Sequence, residues 1–167
     1  MSVLEIVQWP DARLCETCVP VDEITPEIEA LAADMLETMY AAPGRGLAGP
    51  QVGAMHRIFV MDAGWKEGKP DPLVCINPML QEIGEDRVVS TEGCLSIPGV
   101  QADVSRPAQV QMMWTGLNGG RYVQAFDGFA AACVQHEIDH LDGIVTFDHL
   151  DAETRAILEA PYLEARI

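Results

Sequence analysis

The sequence predicts an α+β domain in which antiparallel β-sheets pack around a central helix carrying an HExxH motif, with an N-terminal and a C-terminal helix. Three observations support this fold class: helical spacing near the start, short β-rich segments between residues 57 and 126, and a mostly apolar helix that ends in HEIDH. The chain has 167 residues, 49% of them hydrophobic, so we expect a single domain spanning residues 1–167.

The first predicted helix covers about residues 26 to 41. Thr25 is a suitable N-cap and Pro26 suits the first helical position. Apolar residues recur at helical spacing between Ile28 and Met39, and Gly44 follows the end of the pattern. These features predict an amphipathic helix with one face in the core.

The middle of the chain predicts strands, and the last part predicts two more helices. The β-rich segments are RIFVM, LVCINP, DRVVS, VQMMWT and RYVQAF, with GLNGG as a hairpin turn before the last. GFAAACVQHEIDHL predicts a buried helix. After DGIVTFDHL, in which IVTF resembles a strand, we expect a short helix from about residue 151 to 160.

Composition argues against several classes of protein. The formal net charge is −16, from 26 acidic and 10 basic residues, so strong direct binding to nucleic acid is not expected. There is no basic start followed by an apolar run and no apolar stretch long enough to span a bilayer, so we expect a cytoplasmic protein without membrane contact. Cys15 and Cys18 form a CxxC without a second pair and are interpreted as ordinary thiols.

HEIDH predicts a metal site on the second helix. Residues four apart lie on one helical face, so His136 and His140 can bind one ion, with Glu137 beside them. The third ligand has several candidates. The metalloprotease class with HExxHxxGxxH is excluded, because Thr146 stands where that class has its third histidine. Downstream candidates are Glu153, Glu159 and Glu164, which have little chain left to hold them, and His149, which lies past the strand-like IVTF.

Cys94, in the upstream segment TEGCLSIPG, is the preferred third ligand. A thiolate and two imidazoles make a three-ligand set that leaves one position for water or substrate, as in catalytic sites.

Three segments together resemble the peptide deformylases: GRGLAGPQ at residues 44–51, EGCLS at 92–96 and HEIDHLDG at 136–143. The segments WPDARL, MYAAPG and SRPA extend the resemblance over nearly the whole chain. The resemblance implies a metal-dependent hydrolase that removes the N-formyl group from the initiator methionine of nascent proteins and releases formate.

The resemblance also implies a role for each motif residue. Cys94, His136 and His140 match the metal ligands, and Glu137 matches the general acid and base. Gln51 and the backbone N–H of Leu95 match the donors to the oxyanion. Ferrous iron is the expected ion, although zinc, nickel or cobalt can occupy such a site.

Around these groups we expect a substrate cleft and supporting charges. Glu92 is expected to orient the cysteine loop, and an ion pair between Arg106 and Asp139 to brace the ligand helix. The expected substrate-binding residues are Gly44, Arg45, Gly46, Leu47, Gly93, Ala130, Cys133 and Val134.

The chain departs from the family pattern at a few positions. Gly49 replaces an alanine and should loosen the loop that carries Gln51. Arg45 replaces an aliphatic residue, where a cation could favour an acidic ligand or lie over the surface. Ala130 and Ala132 should widen the side-chain pocket or remove a charge near it.

These departures leave two other functions open. One is a diverged hydrolase of another small formamide or acylamine, and the other is a metal-binding protein without catalysis. The C-terminal tail is acidic, which makes ribosome docking through it doubtful.

Overall fold

The computed structural model describes residues 1–167 and has an α+β architecture with antiparallel sheets, as the sequence predicts. The helices are α1 (Pro26–Ala41), α2 (Gly128–Leu141) and α3 (Ala152–Glu164). The strands are β1 (Gly46–Ala48), β2 (Ile58–Met61), β3 (Leu73–Ile83), β4 (Arg87–Cys94), β5 (Ile97–Pro107), β6 (Gln109–Thr115) and β7 (Arg121–Asp127). Short 3-10 helices cover Ala12–Cys15, Gly49–Val52, Trp65–Glu67 and Thr146–His149.

Helix α1 begins and packs as its sequence predicts. The Thr25 hydroxyl accepts a hydrogen bond from the backbone N–H of Ile28, which satisfies one donor of the first turn. Met35 and Met39 are fully buried in a core cluster shared with Leu47 of β1. The first helix therefore covers the sheet beside the glycine-rich segment that follows it.

The strands form two antiparallel groups. Five of them make one sheet in the order β1-β2-β3-β6-β7, and β4 and β5 form a separate two-stranded hairpin. Helix α2 contacts strands of the larger sheet and also contacts β5 of the hairpin. Its position between the two groups brings residues of the hairpin close to residues of the helix.

Two strands were not predicted from the sequence. Strand β5 contains Pro98, Gly99 and Pro107, which usually interrupt strands, but a two-stranded hairpin has free edges where proline is tolerated. Its buried residues Ala102, Val104 and Arg106 alternate with exposed ones, as a half-buried strand requires. Strand β1 has only three residues.

The C-terminal region also differs from the prediction. IVTF is not a strand, because Thr146–His149 forms a 3-10 helix in which Phe147 is fully buried. Helix α3 extends to Glu164, beyond the expected end at about residue 160. Tyr162 explains the extension, because its ring is buried and its hydroxyl donates to the carbonyl oxygen of Trp9 at 2.8 Å. Among the helices of the structure, none has the length and apolar character needed to cross a membrane.

Candidate active site

Three side chains with metal-binding atoms meet where the hairpin approaches α2. Cys94 is the last residue of β4, and His136 and His140 lie one turn apart on α2. One ligand atom from each of the three lies within 4.8 Å of the other two. The Cys94 Sγ atom is 3.4 Å from Nε2 of His140. These separations suit ligands arranged around one ion.

A partly buried charge network orients His136. Its Nδ1 atom lies 3.1 Å from Oε1 of Glu92, which leaves Nε2 to face the other ligands. Arg106 donates to both carboxylate oxygens of Glu92, at 2.6 and 2.9 Å, and to Oδ2 of Asp139 at 2.9 Å. Burial alone would raise the pKa of Glu92, but hydrogen bonds from His136 and Arg106 lower this pKa to about 2. Glu92 is therefore an anion behind the histidine, in the arrangement that favours ligation.

The network has one member that the sequence did not reveal. Nε2 of His149 lies 2.7 Å from Oδ2 of Asp139, so this histidine supports the network and is not a member of the ligand cluster. The contact depends on the 3-10 helix at Thr146–His149, which the sequence pattern did not predict.

The Glu137 carboxylate is buried beside the three ligands. It is 3% exposed, and its Oε1 atom has no hydrogen-bond partner. Burial penalises the charged form and raises the pKa of Glu137 to about 7. Such a carboxylate can both accept and donate a proton near neutral pH.

Gln51 is held with its amide nitrogen toward the cluster. Its Oε1 atom accepts the backbone N–H of Ala48 at 2.9 Å, which fixes the amide orientation. Nε2 donates to Oγ of Ser96 at 3.1 Å and approaches Sγ of Cys94 at 3.6 Å. Ser96 is fully buried and was missed by the sequence reasoning, although it lies in the EGCLS segment.

The charges around the ligands favour a bound cation. Burial lowers the pKa of His140 well below its usual value, so this imidazole stays neutral. Burial also opposes protonation of His136, but contacts with Cys94, Glu137 and Glu92 raise the His136 pKa well above its usual value. The groups around His136 thus stabilise positive charge there. A divalent ion also fits the donor set of one thiolate and two imidazoles.

A cavity of about 920 Å³ opens over the site. Among the predicted substrate-binding residues, those that line it are Gly44, Arg45, Gly46, Gly93 and Cys133. The predicted ligands Cys94 and His136 line it as well, together with Glu137, Gln51 and Leu95. The predicted catalytic residues therefore lie in the same cavity as most of the predicted substrate-binding residues.

Three predicted substrate-binding residues do not line the cavity. Leu47 and Val134 are fully buried in core clusters, and Ala130 packs against one of these clusters. The cavity wall from α2 consists instead of Gly128, Phe129, Ala132, Cys133, His136 and Glu137. Helical spacing could have found Phe129 and Ala132, because residues seven and four before His136 share its face, whereas Ala130 does not.

Two glycines allow close packing near the site. A Cβ atom added at Gly49 would lie 2.5 Å from the carbonyl oxygen of Ala54 and 2.8 Å from that of His56. The loop at Gly49 is therefore tightly packed, contrary to the expected loosening. A Cβ atom at Gly46 would lie 2.5 Å from Oε2 of Glu137, so the backbone passes directly beside this carboxylate.

The fold and the site together indicate the class of protein, a metallohydrolase in which Cys94, His136 and His140 could hold an ion beside a buried glutamate. The chain belongs to the polypeptide deformylase family, whose model matches residues 3–156. The resemblance found in the sequence is thus confirmed.

Relatives and solved structures agree with this assignment. A peptide deformylase of Rhodopseudomonas palustris (strain BisB5) is 47% identical over 167 residues, covering 99% of this chain and 95% of the relative. The crystal structure of peptide deformylase from Ehrlichia chaffeensis in complex with actinonin is similar at 38% identity and a TM-score of 0.92, covering 100% of both chains. Peptide deformylase from Thermotoga maritima is similar at 33% identity and a TM-score of 0.85, covering 90% of this chain and 99% of the other.

Proposed function

We propose that this protein removes the N-formyl group from formyl-methionine at the N-terminus of newly made proteins, giving formate and a free amine. The observation that carries the proposal is the meeting of Cys94, His136 and His140 with a buried Glu137 at one cavity. We place the activity in the cytoplasm, where nascent chains emerge, with no strong direct binding to nucleic acid.

The proposed metal ligands are Cys94, His136 and His140, and ferrous iron is the ion we expect there. A divalent ion in such a site lowers the pKa of a water molecule and so supplies a nucleophile at neutral pH. Glu137 takes the proton of the attacking water and later gives it to the departing amine. In the metal-free protein burial raises the pKa of Glu137 to about 7, which makes the protonated form accessible for the second step.

The formyl oxygen gains negative charge when water attacks the carbon. Nε2 of Gln51 is the proposed side-chain donor to this oxygen, and the backbone N–H of Leu95 is the proposed second donor. One such donor can stabilise the transition state by about 3 to 4 kcal/mol. Because Ala48 and Ser96 already hold the Gln51 amide, little reorganisation is needed during the reaction.

The size of the cavity favours a peptide over a small formamide. A volume of about 920 Å³ is at the upper end of ordinary ligand sites, and the cavity continues along the glycine-rich segment. The geometry of Glu137 and Gln51 also favours catalysis over metal binding alone.

An anaerobic assay tests the proposal. The purified protein is given formyl-Met-Ala-Ser, formate release is followed, and bound metals are measured by elemental analysis of the same sample. Acetyl-Met-Ala-Ser serves as the matched control, and a panel of small formylated amines covers the alternative substrates. We expect rapid release of formate from the peptide and one divalent ion per chain. Metal-loaded protein that leaves the peptide intact would refute the proposal.

A further inference from the structure

Two cations, Arg45 and Lys66, are among the residues that line the cavity. Their presence is notable because the chain has a net charge of −16. The Arg45 guanidinium lies over the ring of Phe129, at 4.8 Å from its centroid, and pairs with Oε1 of Glu67 at 2.6 Å. Lys66 is exposed and takes part in no ion pair.

Arg45 and Lys66 are not fully paired within the protein, so both can interact with an anionic group of a substrate. In Arg45 only the Nη2 atom is paired, with Glu67, and the Nη1 atom makes no hydrogen bond, while the unpaired Nε atom is buried. Glu67 is 56% exposed, so water or a competing carboxylate can reach its contact with Arg45. The other charged or titratable lining residues are Glu92, His136 and Glu137, which are less exposed than Arg45 and Lys66. Glu92 is already paired with Arg106.

The positions of Arg45 and Lys66 relative to Glu137 determine which part of a bound substrate lies near the two cations. Gly46 adjoins Glu137 at the reactive centre, and Gly44 and Arg45 lead away from it. The indole N–H of Trp65 donates to the carbonyl oxygen of Gly44 at 2.9 Å, which holds the neighbouring Lys66 beside the same segment. An extended chain advances about 3.3 Å per residue, so a substrate that leaves the reactive centre along Gly46, Arg45 and Gly44 passes Arg45 within its first few residues.

We propose that Arg45 and Lys66 make the enzyme prefer formylated peptides with aspartate or glutamate within the first three residues after methionine. This inference rests on the proposed deformylase function and adds a substrate class to it. Pairs of exposed charges are weak and are screened by salt, so the effect should be modest and sensitive to ionic strength. We expect about a 3- to 10-fold higher kcat/KM for acidic peptides than for basic ones at low salt.

The test compares three peptides: formyl-Met-Glu-Glu-Ser, formyl-Met-Ala-Ala-Ser and formyl-Met-Lys-Lys-Ser. We expect kcat/KM to fall in this order at low salt. In 0.5 M salt the differences in kcat/KM should shrink, because salt screens interactions between exposed charges. The variants Arg45→Leu and Lys66→Ala should each reduce the preference, and Arg45→Lys should retain part of it.

Two further variants sharpen the result. Glu67→Gln removes the competing carboxylate beside Arg45, so it should increase the preference for acidic peptides. Lys69→Ala removes a nearby exposed cation that does not line the cavity, and it should leave the preference unchanged.

The outcomes separate this inference from the proposed function. No hydrolysis of the alanine peptide would refute the deformylase function itself. Hydrolysis of all three peptides with equal kcat/KM would refute only the preference. A preference that survives in the double variant Arg45→Leu, Lys66→Ala would also overturn it, and circular dichroism verifies that each variant is folded.

Discussion

Gly46 lies directly against the Glu137 carboxylate, so that a Cβ atom at residue 46 would come within 2.5 Å of Oε2 and within 2.9 Å of Sγ of Cys133. Neither group can move freely, because Glu137 and Cys133 are both buried on α2. The glycine-rich segment is therefore fitted to the acid and base of the proposed reaction.

The first prediction concerns this contact. Gly46→Ala should displace Glu137 and lower kcat/KM by ~100-fold, since misplacement by about 1 Å can cost that much. Gly44→Ala is the comparison, because its Cβ atom would meet the end of the Leu95 side chain at 2.7 Å, and this side chain can rotate. We expect a clearly smaller loss for Gly44→Ala. Equal kinetics for the wild type and Gly46→Ala would show that the contact is not needed.

The second prediction separates metal binding from proton transfer. Glu137→Gln should keep the bound ion and lower kcat by ~100-fold or more, because the amide cannot act as an acid or base. Cys94→Ala should instead lose tight metal binding, since it leaves two ligands. Elemental analysis and steady-state kinetics on the same samples measure both effects. Loss of metal from Glu137→Gln, or full activity in that variant, would contradict the assigned roles.

The third prediction concerns the charge network behind His136. The Arg106 side chain is 5% exposed and Glu92 is 9% exposed, so Arg106→Leu would leave a buried carboxylate without its main partner. We expect the free energy of unfolding of the metal-free protein to fall by ~3 to 5 kcal/mol. Arg155→Leu is the control, because Arg155 pairs with Asp148 and Glu159 while 31% of its side chain is exposed.

Urea unfolding of the three metal-free proteins measures this difference. The exposed pairs of Arg155 should contribute ~0 to 1 kcal/mol. Similar losses in both variants would mean that burial does not set the strength of the Arg106 contacts.

The parts of the site that the sequence predicts are those that depend on local geometry. The helical period places His136 and His140 on one face, and α1 follows from its cap and its apolar spacing. Applied strictly, the same helical period predicts Ala132, and not Ala130, as a residue of the cavity wall. A leucine at position 130 would therefore press on the core rather than fill the cleft.

The remaining parts depend on packing between distant segments. Ser96 reaches Gln51 across 45 positions, and His149 reaches Asp139 only because a 3-10 helix replaces the expected strand. The prolines and glycine of strand β5 argue against a strand in the sequence, and its place in a two-stranded hairpin with free edges is what tolerates them. No local pattern encodes these contacts.

The fourth prediction concerns the C-terminal helix. In α3 and the residues after it, Arg155 and Arg166 are the only basic residues, and Arg155 is already paired with Asp148 and Glu159. This surface should repel ribosomal RNA, so we expect no strong, salt-sensitive ribosome binding through it. Co-sedimentation with ribosomes at low salt measures binding, and truncation after Leu150 is the matched variant. Binding that the truncation abolishes would contradict the prediction.

The last prediction concerns the ion and air. One thiolate and two imidazoles accept several late first-row ions, so the donor set does not choose between iron and zinc. Redox chemistry distinguishes them, because zinc is inert, whereas oxygen can oxidise ferrous iron and an adjacent thiolate. Cys94 lines the open cavity and is only partly buried, so oxygen can reach it. We expect the iron form to lose most of its activity in air within hours while Cys94 becomes sulfenic or sulfinic acid.

Nickel or cobalt should protect the protein against this loss. The measurement compares half-lives of iron-, nickel- and zinc-loaded samples with and without oxygen, while mass spectrometry follows the Cys94 peptide. Cys15 is exposed and lies outside the ligand cluster, so its peptide in the same digest serves as an internal control for general oxidation. Oxidation at Cys94 that exceeds oxidation at Cys15 only in the iron form would support ferrous iron as the native ion. If air leaves the iron form and Cys94 unchanged, or if the anaerobic iron form is slower than the zinc form, zinc is the better assignment.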